Sequence, residues 1–312
     1  MDALDAHSET KISDLPPELV DNIFHYACIL STSFCVALCQ ISTWTRRLAL
    51  PYLYSTVVLK DMAAQEAFSR NLLPRTVPIH PPQPDFHPTK YVRSLWTEAV
   101  SSRVLSIFAP CDGISNLALH VDNFLWLIHA SSTAALRVSK LSTRSITRKN
   151  DLYLLILDAQ AKNWSQKSFV NNNASLTSPI FEKITHLRVG SIGSYSTHLD
   201  LAHFTRLSHI AVPYHRPQEQ NLSDLLRVFD FPSTIFLVVV LMTDLLSTAQ
   251  YQEAVDWVIQ TRVTNSGIYT LTSRQPDLQA EWEAEVRRGL SIWDKAEIFT
   301  QTLTSRPLIS ST

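Results

Sequence analysis

Histidines and cysteines are the residues of this chain best suited to chemistry, and they cluster. Cys35 and Cys39 stand one helical turn apart, with His25 and Cys28 upstream, which are the ligand types that zinc takes. The same cysteines interleave with Phe34, Val36 and Leu38, and free cysteine packs as a small hydrophobe, so burial is favoured over a metal. His198, Asp200 and His203 form a second ligand-like group in a polar connector, where hydrogen bonding is again favoured over a metal. His186 and His209 recur at equivalent positions of two matched segments. A residue restored once per structural unit serves stacking or side-chain hydrogen bonding along a ladder of strands. No Gly-x-Ser-x-Gly nucleophile turn accompanies them, and Ser191 and Ser194 beside Gly190 and Gly193 read as a loop. The five glycines, Gly113, Gly190, Gly193, Gly267 and Gly289, form no phosphate-cradling or dinucleotide-binding pattern. Catalytic residues, a metal and a cofactor are therefore not expected.

The elements around those histidines repeat. Phe181-Glu182-Lys183-Ile184-Thr185-His186-Leu187-Arg188-Val189 matches Phe204-Thr205-Arg206-Leu207-Ser208-His209-Ile210-Ala211-Val212, 23 residues later. That spacing falls within the roughly 20 to 29 residue period of leucine-rich repeats, in which each unit gives one strand of a parallel sheet. Val92–Leu95 and Ile114–Leu119 share the register at an offset of 22. Ala134–Val138, Ile235–Val240 and Ile268–Leu271 are further expected strands, while residues 151–177 read as a unit with an enlarged loop. Between them lie the helical patterns Asp122–Ile128 and Asn221–Leu226. Tyr251, Ala254, Val255, Val258 and Ile259 form one later helical stripe, and Ile292, Ala296, Phe299 and Leu303 another. Alternating strand and helix predicts a parallel α/β sheet, irregular in its spacing, closed by a terminal helix with one polar face.

With 312 residues, 45% hydrophobic and 18% charged, the chain has the composition of a folded globular protein. Lys plus Arg number 27 against 28 Asp plus Glu, so no general attraction to nucleic acid or to an anionic membrane is expected. The longest apolar run, Ile235–Met242, is far short of the roughly 20 residues that span a bilayer and reads as a buried strand. Four cysteines make no disulfide framework, and the polar, acidic Met1–Thr10 carries no secretory signal, so a cytoplasmic or nuclear setting is expected. Residues 72–89 hold Pro74, Pro78, Pro81, Pro82, Pro84 and Pro88, which rules out a helix interior and predicts a connector.

The N-terminal stretch is helical and over-supplied with apolar surface. Pro16 and Pro17 mark a first turn and Glu18 places negative charge there. In projection Leu15, Leu19, Val20, Ile23, Phe24, Tyr26, Ala27 and Leu30 fill an arc of roughly 180°, against the ~100° that docking on one core needs. Glu18, Asp21, Asn22, His25 and Cys28 fall opposite. Two more helical pieces follow, Phe34–Ile41 and one capped by Thr43 and stopped by Pro51. Three short helices make a marginal core, so a permanent partner is the natural use of the spare arc.

This stretch resembles the F-box family. Leu15-Pro16-Pro17-Glu18-Leu19 with Ile23 is similar to the family's opening Leu-Pro-x-Glu-Leu and the isoleucine that follows. Cys39, Trp44, Leu48-Ala49, Pro51–Tyr54 and Val57-Val58-Leu59 sit where the family has its Cys, Trp, Leu-Ala and closing strand. Trp293-Asp294-Lys295-Ala296-Glu297 resembles the close of many mushroom-type fungal members. The resemblance implies docking on a Skp-family adaptor through Leu15, Pro16, Pro17, Leu19, Ile23, Cys39, Trp44 and Leu48, and through it membership of a cullin-RING ubiquitin ligase. The expected organisation is a tail over 1–10, an F-box-like module over 11–61, a helix and Pro-rich connector over 62–89, and an irregular leucine-rich-repeat-like α/β domain over 90–312 with a capping helix. That domain would capture a protein substrate, with Tyr195 and Tyr214 projecting from loops at the carboxyl ends of the strands. The alternatives are a repeat-based interaction scaffold independent of ubiquitin, and a small α/β hydrolase.

Overall fold

The computed structural model describes residues 15–72, 86–138, 151–158, 178–195, 201, 203–228, 236–274 and 278–305. The chain divides into two compact units, one up to Ser55 and one from Thr56.

Among the described residues the first unit is three helices, α1 (Pro17–Leu30), α2 (Thr32–Ile41) and α3 (Thr43–Ser55). Pro17 in the first turn of α1 gives up an amide that has no helical partner, and Glu18 follows it. Ser31 ends α1 and starts α2, its hydroxyl accepting from the Phe34 amide at 3.2 Å. The cap of α3 is Ser42, not the expected Thr43. Ser42 and Thr45 exchange bonds, each backbone N–H donating to the other's hydroxyl at 3.0 and 3.1 Å. Pro51 does not stop α3, which continues to Ser55. The core of this unit is Cys28, Cys35, Leu38 and Ala49, with Phe24, Phe34, Leu48 and Tyr52 packed around it. Cys28, expected on the polar side of α1, is fully buried.

The second unit is built on eight parallel strands in chain order: β1 (Thr56–Leu59), β2 (Ser94–Thr97), β3 (Asn116–Leu119), β4 (Leu152–Ile156), β5 (Ile184–Val189), β6 (His209–Tyr214), β7 (Phe236–Met242) and β8 (Ile268–Ser273). Every strand is added to the same edge, so the sheet has no point where strand order reverses. Among the described residues the α-helices between strands are α4 (Met62–Leu72), α5 (Val104–Phe108), α6 (Val121–Val138), α7 (Leu222–Val228) and α8 (Thr248–Arg262). They pack on one face, where Ala64, Ile107, Phe124, Leu225 and Val255 meet Leu95, Leu117, Leu154, Leu187, Ile210 and Val239 in one core.

Three expectations are corrected here. Ala134–Val138 is the end of α6 and not a strand. Residues 152–156, read as belonging to an enlarged loop, form the fully paired strand β4. The module boundary expected after residue 61 falls at Ser55, because β1 pairs in register with β2 and α4 packs on the sheet's core. Elements on both sides of residues 73–85 thus belong to one sheet, and the prolines there do not mark a domain boundary; those residues lie outside the described ones.

The second face of the sheet is covered too. The last two helices, α9 (Leu278–Arg288) and α10 (Ile292–Thr304), fold back across it. Trp282 of α9 packs on Trp96, Ala118 and Leu155, while Ile292, Trp293 and Ala296 of α10 pack on Ala211, Val238, Val240 and Leu271. The continuous apolar run of β7 follows from this, since a strand covered on both faces has no polar side. At the sheet edge the Thr300 hydroxyl accepts from the Thr270 amide at 2.9 Å and donates to its carbonyl at 3.0 Å, blunting β8 as a template for another strand. The expected terminal cap is therefore one task of α10; covering the face is the larger one.

Candidate functional site

Two places in the structure are equipped for recognition, one in each unit. The first is the outer side of α1. Leu19, Ile23, Tyr26 and Leu30 recur at i, i+4, i+7 and i+11, so they make one stripe, and they are 49%, 54%, 67% and 58% exposed. Phe24 and Cys28 face the core on the opposite side. Ile41 and Trp44 add further exposed apolar surface, and Trp44 meets Phe24 edge-on at 5.9 Å. Of the expected docking residues, Pro16, Pro17, Leu19, Ile23 and Trp44 are exposed, whereas Leu15, Cys39 and Leu48 are half-buried. A single large exposed apolar residue needs no explanation, but a stripe of four along one helix does.

The second place is the covered face of the sheet. Asn116, Tyr153, His186, His209 and Phe236 are in register across β3 to β7. Their rings stack into a ladder: Tyr153 on His186 at 4.0 Å, His186 on His209 at 4.1 Å, His209 on Phe236 at 5.0 Å, and Phe236 on Tyr269 at 3.9 Å. Arg262 closes the far end, its guanidinium 4.4 Å from the centre of the Tyr269 ring. Trp293 reaches down from α10 against His186 and His209 at 5.4 and 5.3 Å. The residue before each histidine repeats as well: the hydroxyls of Thr185 and Ser208 lie 2.9 Å from the neighbouring Nδ1 atoms.

Burial sets the chemistry of the two histidines. It lowers the His186 pKa to about 4, with His209 adding to the shift and Asp151 opposing it, and it lowers that of His209. Both are held neutral, each with its Nδ1 beside the hydroxyl of the preceding residue. The unfolded chain binds protons at these sites from pH ~6.5 downward, whereas folded His186 does so only near pH 4. Stability must therefore fall as pH drops through that window, by on the order of 2 kcal/mol after allowing for partial exposure. Glu285 works in the other direction, because its raised pKa lets the folded state take up a proton first. Urea midpoints at pH 7.5 and 4.5 will show the loss, and a His186→Phe/His209→Phe double variant, which keeps the stacking, will show a smaller one. Equal pH dependence in both proteins would mean that the ladder histidines do not carry it.

In the next row Arg188 stands among Trp96, Ala118, Leu155 and Ala211. Its side chain is 7% exposed and forms ion pairs with Glu281 at 2.5 Å and Glu285 at 3.4 Å, both from α9. Burial is the main force on Glu285 and raises its pKa, while Arg188 and Lys295 pull it down. Gly289, at φ 84°, ends α9 in the left-handed conformation, its amide donating to the Glu285 carbonyl at 3.2 Å. That turn separates α9 from α10 and leaves a cavity of about 260 Å³ between them, lined by Tyr153, His186, Arg188, Trp282, Glu285 and Trp293 among others.

Tyr195 and Tyr214 do not project from loops, and that expectation is corrected. Tyr195 is fully buried, its hydroxyl donating to the Pro213 carbonyl at 2.8 Å, and Tyr214 is 4% exposed in the same core. The sheet has no reversal of strand order, so the crevice that the carboxyl-end rule requires does not form. His198 and Asp200 lie outside the described residues. Among the described residues no group of three or more His, Cys, Asp or Glu is placed to hold a metal, and no helix is long and apolar enough to cross a membrane. The Arg188 ion pairs and the cavity were not expected from the sequence, because their members lie 93 and 97 residues apart and follow no local spacing. No protein-family model, no curated protein and no solved structure matches the chain.

Proposed function

We propose that this protein recruits substrates to a ubiquitin ligase: α1 to α3 dock on a Skp-family adaptor, and the sheet domain presents the surface that captures a protein. Transfer chemistry belongs to the adaptor's cullin-RING partners. The observation that carries this reading is the exposed stripe Leu19, Ile23, Tyr26 and Leu30, opposite the side of α1 that holds its own core. A core of four fully buried residues is small, and burying the stripe against a partner offsets that deficit. The Leu-Pro-Pro-Glu-Leu opening and Ile23, which resemble the F-box family, lie on or beside that stripe and select the adaptor as its occupant.

The test uses the full chain, since β1 and α4 belong to the sheet and a cut after residue 72 would sever them. Leu19→Asp and Ile23→Asp place charges at positions about half exposed, so the free protein should keep its melting temperature and circular dichroism. Adaptor affinity should fall by about 100-fold, because the interface would bury an unpaired carboxylate. A wild-type chain that does not bind the adaptor, or folded variants that bind it unchanged, would overturn the docking assignment.

A further inference from the structure

We propose that the cavity between α9 and α10 binds an alkylated ammonium group, held between the rings of Tyr153, Trp282 and Trp293 with Glu285 as its counter-charge. The aromatic walls come from three separate elements. Tyr153 ends the ring ladder: one face lies on His186, and the in-register neighbour on the other side is Asn116, which brings no ring. Trp282 and Trp293 face the same space from the two helices. Tryptophan and tyrosine faces attract weakly hydrated cations, most strongly where water is displaced.

The charge of the wall is set by how Arg188 is shared. Its closer partner is Glu281 at 2.5 Å, and Glu281 is not a wall of the cavity. Glu285 receives only the 3.4 Å contact, to Oε1, and its other oxygen is engaged by no described residue. Lys295 forms no ion pair with it among the described residues. A carboxylate at 15% exposure, facing a cavity with its one ion pair among the described residues at 3.4 Å, is stabilised further by a cation that brings its charge without demanding strong hydration. About 260 Å³ is below the ~300–1,000 Å³ typical of sites for larger ligands, so a head group or one side chain fits. The same chemistry is offered by a small free quaternary amine and by a methylated lysine of a protein partner. This assignment does not rest on the reading of α1, and its failure would leave adaptor docking untouched.

Isothermal titration calorimetry on the full chain tests it with choline, with its neutral isostere 3,3-dimethyl-1-butanol, and with the anion 3,3-dimethylbutyrate. Choline should bind at least about tenfold more tightly than the alcohol, and the anion no better than the alcohol. Glu285→Gln should remove the preference for choline while leaving binding of the alcohol unchanged. The isostere comparison on unaltered protein keeps the test decisive if that variant misfolds. Equal binding of choline and the alcohol, no binding of choline, or tightest binding of the anion would overturn the assignment. A hexapeptide bearing trimethyllysine that outbinds choline would identify the source as a protein side chain, and the reverse order as a free amine; both orders support the site.

Discussion

Removing residues 278–312 is expected to abolish cooperative folding of the sheet domain. The deletion takes away α9 and α10, and with them the cover of one whole sheet face. Trp96, Ala118, Leu155, Ala211, Val238, Val240 and Leu271, all less than a tenth exposed, would meet water together. Trp282, Ile292 and Trp293 are 4%, 2% and 8% exposed, and burying a large apolar side chain contributes about 1.5–3 kcal/mol. Three such residues alone approach the ~5–15 kcal/mol by which domains are stable. The same cut uncovers the edge of β8 at Thr270 and leaves Arg188 without Glu281 and Glu285. An open strand edge beside a bare apolar face is a template for aggregation. Circular dichroism, size exclusion and dye binding on the truncated chain should show a loosely ordered, associating protein. A monomeric truncated chain with a sharp thermal transition would mean that the sheet is self-sufficient on its helix-packed face.

This division of labour between the two faces was only half legible in the sequence. The repeat spacing marked the strands well. Offsets of 22 and 23 match the observed register, in which Ser94 lies beside Asn116 and His186 beside His209. The other crossovers follow no single period, because a parallel pair sets only a minimum length for its connection: Thr56 pairs with Ser94, Asn116 with Tyr153 and His209 with Phe236. β4 escaped because its Leu-Tyr-Leu-Leu-Ile lacks the polar-histidine pair that flags β5 and β6, although Tyr153 takes the same position in the ladder. Ala134–Val138 misled because a short apolar run has no period long enough to separate strand from helix end. The unbroken apolar run of β7 did signal a second covered face, yet nothing local says which later segment covers it. On α1 the excess apolar arc was readable, but its division was not: the core took Phe24 and Cys28, so Leu19, Ile23, Tyr26 and Leu30 remained outside. Tyr195 shows the same limit, since a tyrosine beside glycine and serine looks like a loop tip until its ring is found in the core.

The ion pairs that tie α9 to the sheet give the second large effect. Arg188→Met should destabilise the domain by about 3–5 kcal/mol, a loss caused mainly by what it leaves behind. The side chain is 7% exposed, and its removal strands Glu281 and Glu285, at 26% and 15% exposure, on an apolar sheet face. Glu281 would retain one hydrogen bond, from the Ser273 hydroxyl at 2.5 Å. Glu285 would retain none from the described residues and would bind a proton more readily still, because burial already raises its pKa. Replacing the whole group removes the problem with its cause. An Arg188→Met/Glu281→Gln/Glu285→Leu chain should regain most of the lost stability, since exchanging a buried ionic group for packed neutral side chains is often neutral or better. Urea denaturation of the wild type, the single variant and the triple variant measures both steps. A single variant that loses less than about 1 kcal/mol would show that the glutamates reach water unaided. A triple variant no more stable than the single one would place the loss in the packing of the Arg188 stem against Leu155 and Ala211, and not in the charge left unpaired.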